Sequence, residues 1–461
     1  MSSFRLSQRA VPAALALALT TFSFSPANAA TLLEVYDLAA QSDPTIRAAE
    51  AERLATREAR PQAWSAFLPN ISAFADWSGT TAGEDTNTPA VTGGVVGSRG
   101  LTRTTRGGAW GISAEESINL PGVIRNLKRT DYTLAQADIT YHSAEIDLVS
   151  RVATRYFNVL SAKDSLSAAQ SNLDSLNQQL ERAEKRFEVG LSAITDVQEA
   201  RAQRDSANAA VISAKRRLAT NQELLREVTG VATDTLAAPG DDMPLLGPDP
   251  QSEDEWVNKA LDGNLGLAYN RIALEAATYD VGTQKLTRFP TLTIGANYNN
   301  SNQYDDFKAL GSNNTLNSWT GTWLSVGISV PIFTGGYNSS VIRQAVYLQR
   351  AARERVEQST RETERAARDA YLGLQSSISQ VEATKQALES ARLALQATEA
   401  GFDVGTRTTI DVLQSRNVLL SAEQNYYSSR YNYIQNIITL KTATGSLTRE
   451  DLQQINGWLT Q

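Results

Sequence analysis

Two long segments of the chain carry an apolar residue at every seventh position. The first series is Val152, Val159, Leu166, Leu173, Leu180 and Phe187, and the second is Leu374, Val381, Leu388, Leu395 and Phe402. This heptad spacing, with alanine at many intervening positions, predicts long helices that pack closely as coiled coils. Each helix is expected to stop at a glycine, Gly190 or Gly405, because glycine tolerates a left-handed cap. The pattern therefore predicts two helical hairpins, over residues 122–230 and 338–445.

In four other segments the apolar period is two, which is typical of strands. The segments lie near residues 68–82, 108–120, 290–300 and 319–333, and a tilted membrane strand has their length of about ten residues. Aromatic side chains at positions 77, 110, 298, 319 and 323 lie near the loop ends, as an aromatic girdle would. Four strands cannot close a barrel, and an open edge is not tolerated in hydrocarbon, so several chains are expected to share one barrel.

The chain repeats itself once. Tyr156 to Gly230 aligns without gaps on Tyr371 to Gly445 at an offset of 215, with about 20 of 75 positions identical. The strand segments align at an offset of 221. We therefore predict a first repeat over 30–230, a linker rich in proline and glycine over 231–254, a second repeat over 255–447, and a C-terminal segment, 448–461, with a short helix of no assigned role.

Residues 1–29 have the features of a secretory signal peptide. Arg5 and Arg9 precede an apolar stretch, and Ala27-Asn28-Ala29 forms a small-x-small cleavage site. No later window approaches 18 consecutive apolar residues, so any membrane insertion is expected to use strands. The fold class predicted is an internally duplicated α+β membrane protein.

The amino-acid composition argues against several kinds of functional site. The chain has no cysteine and one histidine, His142, to which we assign no role, so neither a metal site nor a cofactor is expected. The net charge of −7 offers no field for nucleic acid. Acidic runs are expected to be solvated turns and not a catalytic dyad, namely Asp241-Asp242, Glu253-Asp254-Glu255 and Asp305-Asp306. We expect no enzyme activity.

Two motifs at the predicted helix stops carry a family resemblance. FEVGLSAITDV (187–197) and FDVGTRTTIDVL (402–413), with RYNYIQNIITLKTATGSL (430–447), resemble the TolC family of outer-membrane efflux channels. The resemblance implies a homotrimer with a 12-stranded barrel, in contact with outer-membrane lipid, and a long α-helical barrel in the periplasm of a Gram-negative bacterium. It also implies a passive exit duct for tripartite efflux or type I secretion, opened by a periplasmic adaptor and an inner-membrane RND or ABC pump. The expected cargo is drugs, small toxic molecules and proteins.

The same resemblance implies a gate at the helical tips. Arg407 and the Thr195-Asp196 pair would be the closing contacts, and Asp411 would contribute to an acidic ring. This chain departs from the family pattern at Phe402, where the family has a tyrosine, and at Gln414, where it has a second aspartate. We therefore expect one carboxylate ring, at Asp411, and a latch that depends more heavily on Arg407.

A second implied role is docking of the adaptor's helical hairpin. It falls on the two tip turns, Val189-Gly190-Leu191 and Val404-Gly405-Thr406, where helix capping by glycine is the plain structural alternative.

Two other classes of protein remain open at this stage. A trimeric coiled-coil surface adhesin or structural outer-membrane protein would place its strands contiguously at one end of the chain. A secreted enzyme would need a convergent cluster of polar residues, and the sequence shows none.

Overall fold

The computed structural model describes residues 29–86, 99–233, 235–240, 243–308 and 315–460. The helices are α1 (Leu32–Ser42), α2 (Pro44–Arg57), α3 (Ala59–Ser65), α4 (Leu120–Glu188), α5 (Ile194–Thr229), α6 (Glu253–Gly263), α7 (Leu265–Lys285), α8 (Tyr337–Asp403), α9 (Thr409–Ala443) and α10 (Arg449–Asn456). The strands are β1 (Asn70–Thr86), β2 (Arg99–Ile118), β3 (Ala238–Pro239), β4 (Thr291–Lys308), β5 (Thr315–Ser329) and β6 (Leu459–Thr460). The predicted signal peptide, apart from Ala29, and the Asp241-Asp242 pair lie outside the described residues.

Four helices form two hairpins. Helix α4 has 69 residues and α8 has 67, so at 1.5 Å per residue each reaches roughly 100 Å. Asn119 starts α4 as its N-cap, since its side chain accepts a hydrogen bond from the Gly122 amide at 3.1 Å. Helices α5 and α9 return along α4 and α8 for 36 and 35 residues. No helix in the described ranges is both long enough and apolar enough to cross a membrane.

A four-stranded antiparallel sheet continues from one end of the helices. Its strand order is β1-β2-β4-β5, so the two repeats meet where β2 pairs with β4. The strands have 17, 20, 18 and 15 residues, which makes them longer than predicted. The strand pairing continues beyond the apolar alternation, since residues 79–86 pair with 99–106 and residues 299–305 pair with 315–321.

The register brings the apolar positions of all four strands onto one face. Directly opposite residues in an antiparallel pair share a face, and Ala73 lies opposite Ile112, Ile112 opposite Tyr298, and Leu292 opposite Ile328. This face is open in the single chain, where Ile328 is 72% exposed. The sheet therefore has one apolar and one polar face.

Two predictions about side chains in this sheet are wrong. Trp77, Trp110 and Tyr298 lie on the apolar face, but the register places Trp319 and Trp323 on the polar one, so they do not belong to a girdle on the apolar surface. The second wrong prediction concerns Asp305, which lies within β4 and is only 2% exposed. It accepts a hydrogen bond from the Thr105 hydroxyl at 2.6 Å, because the two residues are opposite each other in the register, and it is not a solvated turn.

The main hydrophobic core lies near the middle of the helices. Tyr156, Phe157, Tyr433 and Ile434 are almost fully buried there, with α1 and α10 packed against them. The predicted linker is fixed to this core: the Tyr156 hydroxyl donates to the Ala237 carbonyl at 2.7 Å.

The C-terminal segment has a structural role that the sequence did not indicate. After α10, the two residues of β6 pair with β3 in the linker, and the Trp458 ring stacks on Tyr433 at 6.5 Å between centroids. The chain end thus closes the core around the hairpins.

The remaining acidic run is also not a turn. Glu253 and Asp254 begin α6, where a helix N-terminus favours negative charge. Both carboxylates pair with Arg368 of α8, at 2.6 and 3.2 Å. This run therefore fixes α6 to the second hairpin.

Candidate functional site

The two hairpin tips have nearly the same backbone. Gly190 and Gly405 are left-handed, with φ of 75° and 80°. In the first tip the Leu191 amide donates to the Arg186 carbonyl at 2.8 Å, and in the second the Thr406 amide donates to the Gly401 carbonyl at 2.8 Å. These bonds satisfy carbonyls that a helix end leaves free, as in a Schellman motif. The predicted helix stops at both glycines are confirmed.

The first tip leaves the start of α5 without a side-chain cap. Ala193 occupies the N-cap position, and no side chain bonds to the first helical amides there. Asp196, in the first turn of α5, instead accepts a hydrogen bond from the Ser192 hydroxyl at 2.7 Å. Thr195 beside it is exposed. The carboxylate of Asp196 is thus held by one hydroxyl at the edge of the tip.

The second tip caps α9 reciprocally. Asp411 accepts from the Thr408 amide and hydroxyl, both at 2.9 Å, and its own amide donates to the Thr408 hydroxyl oxygen at 3.3 Å. This is a capping box. The hydrogen bonds from Thr408 hold the pKa of the Asp411 carboxyl below its usual value, with a further contribution from the Arg407 charge. Asp411 therefore has a structural role in addition to its predicted place in an acidic ring.

Arg407 lies over a glycine. A Cβ added at Gly401 would meet the Arg407 Cγ at 2.8 Å, so the missing side chain makes room for the arginine stem. The Arg407 amide donates to the same glycine's carbonyl at 3.2 Å. The guanidinium is exposed, and within the described residues no hydrogen bond or ion pair joins it to Asp196. The predicted closing contact is not made inside one chain.

The two tips of one chain enclose a cavity of about 320 Å³. Asp196 and Arg407 both line it, from opposite tips, together with Ser192 and Thr408. One direct contact crosses between the tips here: the Arg186 guanidinium carbon lies 4.9 Å from the centroid of the Phe402 ring. Sequence reasoning missed Arg186, since nothing in its spacing shows which ring it reaches.

Gln414 lies apart from this cavity. It lines a groove of about 530 Å³ along α8 and α9, together with Asn417, Val418 and Ser421. Like Asp411, which is less than one helical turn away, Gln414 is not among the residues that line the cavity between the tips. The structure thus places the neutral Gln414 amide in this groove.

The residues predicted to dock an adaptor are among the most exposed apolar side chains of the chain. Val189, Leu191 and Val404 are 68%, 70% and 74% exposed. No atom lies within 4 Å of the position that a Cβ would take at Gly190 or Gly405. Each tip turn thus presents backbone and apolar side chains to whatever approaches from outside.

Packing behind the tips joins the hairpins. Leu176 of α4, Ala207 of α5 and Leu413 of α9 form one buried cluster. Nearer the main core, the Tyr431 hydroxyl donates to Asp164 at 2.5 Å. Burial raises the pKa of the Asp164 carboxyl, while the bond from Tyr431 opposes that shift. The first hairpin is packed almost to its tip, where Leu180, Ala183, Val197 and Ala200 form a buried cluster, whereas the cluster that joins the two hairpins lies farther back, at Leu176.

Comparison with known proteins gives a consistent result. The family model described as Outer membrane efflux protein matches residues 35–231 and 256–446. Outer membrane protein TolC of Vibrio cholerae serotype O1 is 32% identical over 452 residues, covering 98% of this chain and 99% of the relative. Outer membrane protein TolC of Escherichia coli strain K12 is 32% identical over 458 residues, covering 98% and 90%.

A solved structure supports the fold. The CmeC outer membrane channel of Campylobacter jejuni matches with a TM-score of 0.71 at 16% identity, over 99% of this chain and 98% of that chain. At this level of identity the likeness concerns the fold: long helices joined to a four-stranded sheet.

Proposed function

Because the chain belongs to the outer membrane efflux protein family, we propose that three copies of it form one gated exit duct. The protein is an outer-membrane channel of Gram-negative bacteria with a large periplasmic portion, and it serves tripartite efflux or type I secretion. In the proposed assembly each chain gives four strands to a 12-stranded barrel and four long helices to a periplasmic tunnel. Drugs and other small toxic molecules are the proposed cargo, with proteins as a further class.

One observation carries this proposal: the sheet is incomplete in a single chain. Its apolar face is exposed, and in the described part of the chain β1 and β5 each have a strand on one side only. Backbone groups on such edges must be paired in hydrocarbon. A barrel of twelve strands is wide enough to keep an aqueous lumen.

The duplication predicts how β5 of one chain meets β1 of the next. At the offset of 221, Ile71 of β1 corresponds to Leu292 of β4. Ile71 lies opposite Ala114 in β2, and Leu292 lies opposite Ile328 in β5. Ala114 and Ile328 are therefore equivalent positions.

Within the chain, Ala114 lies opposite Ala296 of β4, and the offset makes Ala296 equivalent to Ala75 of β1. If the junction between chains repeats the junction between repeats, Ile328 lies opposite Ala75 of the partner subunit. This register keeps both side chains on the apolar face.

Cysteine cross-linking tests the barrel and its register together, since the natural chain has no cysteine. Ala75→Cys with Ile328→Cys should give a covalent trimer on mild oxidation in outer membranes. Ala75→Cys alone and Ala73→Cys with Ile328→Cys are the matched controls. Cross-linking only in the second pair would contradict the register, and no cross-linking along either edge would contradict the shared barrel.

We further propose that the gate closes between neighbouring chains. Arg407 and the Thr195-Asp196 pair would meet across the trimer interface, because Arg407 and Asp196 line one cavity but, among the described residues of one chain, no hydrogen bond or ion pair joins them. An exposed Arg–Asp pair contributes only about 0–1 kcal/mol. A symmetric trimer has three such pairs, which together would hold the gate closed yet be weak enough for a partner protein to break. Arg407→Ser should enlarge the conductance steps in planar bilayers, and equal steps in both proteins would contradict this gate.

The proposed partners act at the tips. An adaptor hairpin would dock on Val189-Gly190-Leu191 and Val404-Gly405-Thr406, and an inner-membrane RND or ABC pump would supply the energy. The adhesin alternative receives no support from strand placement, because the large strands lie at 70–118 and 291–329 and not together at the C-terminus.

A further inference from the structure

We infer that Arg186 is a latch residue of the gate, which holds the α8 tip against the α4 tip of the same chain through the face of the Phe402 ring. The inference rests on the proposed function, since it assumes that the channel opens by separating these tips. It concerns a contact within one chain, and so differs from the Arg407 contact between chains.

The geometry is that of a cation–π pair. The guanidinium carbon lies 4.9 Å from the ring centroid, within the roughly 6 Å over which a cation is attracted to an aromatic face. Both side chains are partly exposed. The charge is therefore not buried, and the contact can break without leaving an unpaired charge in a core.

Both partners are positioned by the turns next to them. The Arg186 carbonyl accepts the Leu191 amide at 2.8 Å, and the Phe402 carbonyl accepts the Gly405 amide at 3.1 Å. Each residue thus lies in the last turn of its helix, and its carbonyl is bonded to the turn that contains the left-handed glycine. A movement of either tip as a rigid body moves the guanidinium relative to the ring.

Among the described residues, no buried hydrophobic cluster joins the two tips at this level. The cavity of about 320 Å³ separates them beside the pair. The buried cluster that joins the two hairpins begins at Leu176, ten residues and about 15 Å back along α4. Arg186 and Phe402 are therefore well placed to control separation of the tips.

The duplication shows that each chain has one such pair. At the offset of 215, Phe187 corresponds to Phe402, and Arg186 corresponds to Gly401. The glycine leaves its space to Arg407, so the second tip offers no matching cation to Phe187, which is 42% exposed. Phe402, which lacks the hydroxyl of the family's tyrosine, uses its ring face for the contact.

The test is a double-mutant cycle on the full-length trimer in planar bilayers. Arg186→Gln and Phe402→Leu should each shift the closed-to-open ratio roughly two- to fivefold per chain toward open, as expected for an exposed cation–π pair. The double variant should do no more than either single one. Phe402→Tyr and Arg186→Lys keep a ring or a cation and should retain most of the latch.

Phe187→Leu is the matched control and should leave gating unchanged. A similar shift in this control, or additive effects of Arg186→Gln and Phe402→Leu, would overturn the latch. Heat-resistant trimers on gels check that each variant assembles. If Arg407→Ser opens the channel and these variants do not, the latch fails and the proposed function stands; if none of them changes conductance, the gate itself is misplaced.

Discussion

The two hairpin tips began as copies of one sequence and now hold their equivalent carboxylates differently. Asp196 and Asp411 correspond at the offset of 215. Asp196 is held by the Ser192 hydroxyl next to an uncapped helix start, and Asp411 is committed to a capping box with Thr408. The capping box therefore stabilises the conformation of the second tip. In the first tip the carboxylate of Asp196 has fewer bonds and is more accessible to a neighbouring chain.

The arginines differ in the same way. Arg186 of the first tip reaches across to the Phe402 ring, and its equivalent in the second tip is Gly401, which makes room for Arg407. One duplicated backbone thus supports the contact of Arg186 within the chain, and at Arg407 it presents an exposed cation to the cavity between the tips. Substitutions at equivalent positions of the two tips should therefore have different effects where the contacts differ and similar effects where the backbone is shared.

The largest expected effect comes from the shared turns. Gly190→Leu and Gly405→Leu each force a side chain into a left-handed conformation, at a cost of roughly 1–2 kcal/mol. Nothing lies near either Cβ position, so the cost is in the backbone and should be similar in both tips. Efflux-dependent drug resistance, in a strain that lacks its own exit duct, should fall in both variants.

Gly247→Ala is the control, because the Cβ position there is also open but the backbone φ is not positive. A loss of resistance from one tip only would show that the two turns are not equivalent in docking.

The next effect concerns the caps. Thr408→Ala removes the side-chain cap of α9 and should destabilise that helix start by about 0.5–2 kcal/mol. Ala193→Ser is the mirror change and should protect the start of α5. Hydrogen exchange at residues 409–412 and 194–197 measures both, and unchanged exchange in Thr408→Ala would contradict the assigned cap.

The smallest expected effect is at Asp411, where two variants distinguish the role of its charge from its role in the helix cap. Asp411→Asn keeps an oxygen that can accept from Thr408, so exchange in the first turn of α9 should change little. Asp411→Ala loses the acceptor and should loosen that turn. If the proposed carboxylate ring narrows the mouth, both variants should weaken block by divalent cations; undiminished block in both would remove Asp411 from the gate.

The sign of the pH dependence follows from the lowered pKa of Asp411. Its capping contribution is complete above the usual aspartate pKa of about 3.9 and is lost as pH falls through the lower value in the folded protein. The protection factor in the first turn of α9, which compares the exchange rate with that of an unfolded chain at the same pH, should therefore be constant between about pH 5 and 8 and should fall only in stronger acid.

Local patterns predicted much of this molecule. The heptad spacing and the helix stop at Gly405 predicted the long helices correctly, because both signals depend on residues that are close together in the sequence. Strand ends were predicted less well, since pairing partners extend β2 and β4 beyond their apolar alternation. The position of Trp319 near a loop end predicts a girdle residue. The face of the sheet on which its side chain lies depends instead on the register with β4.

The candidate site was predicted in part. Family resemblance pointed to Arg407, Asp196 and Asp411, but it did not show the capping box or the contact of Arg186 with Phe402. The offset of 215 could have drawn attention to Arg186, because it aligns an arginine with a glycine at an otherwise similar tip.

The sequence by itself determined the elements: periodicity sets which residues are helical or extended, and glycine sets where the hairpins turn. It also predicted that other chains complete the sheet, because four apolar strands leave two edges. Only the tertiary structure decided what each tip side chain touches. Such contacts join residues more than 200 positions apart in the sequence, as Arg186 and Phe402 are. A local sequence pattern does not show how close two such residues are in space.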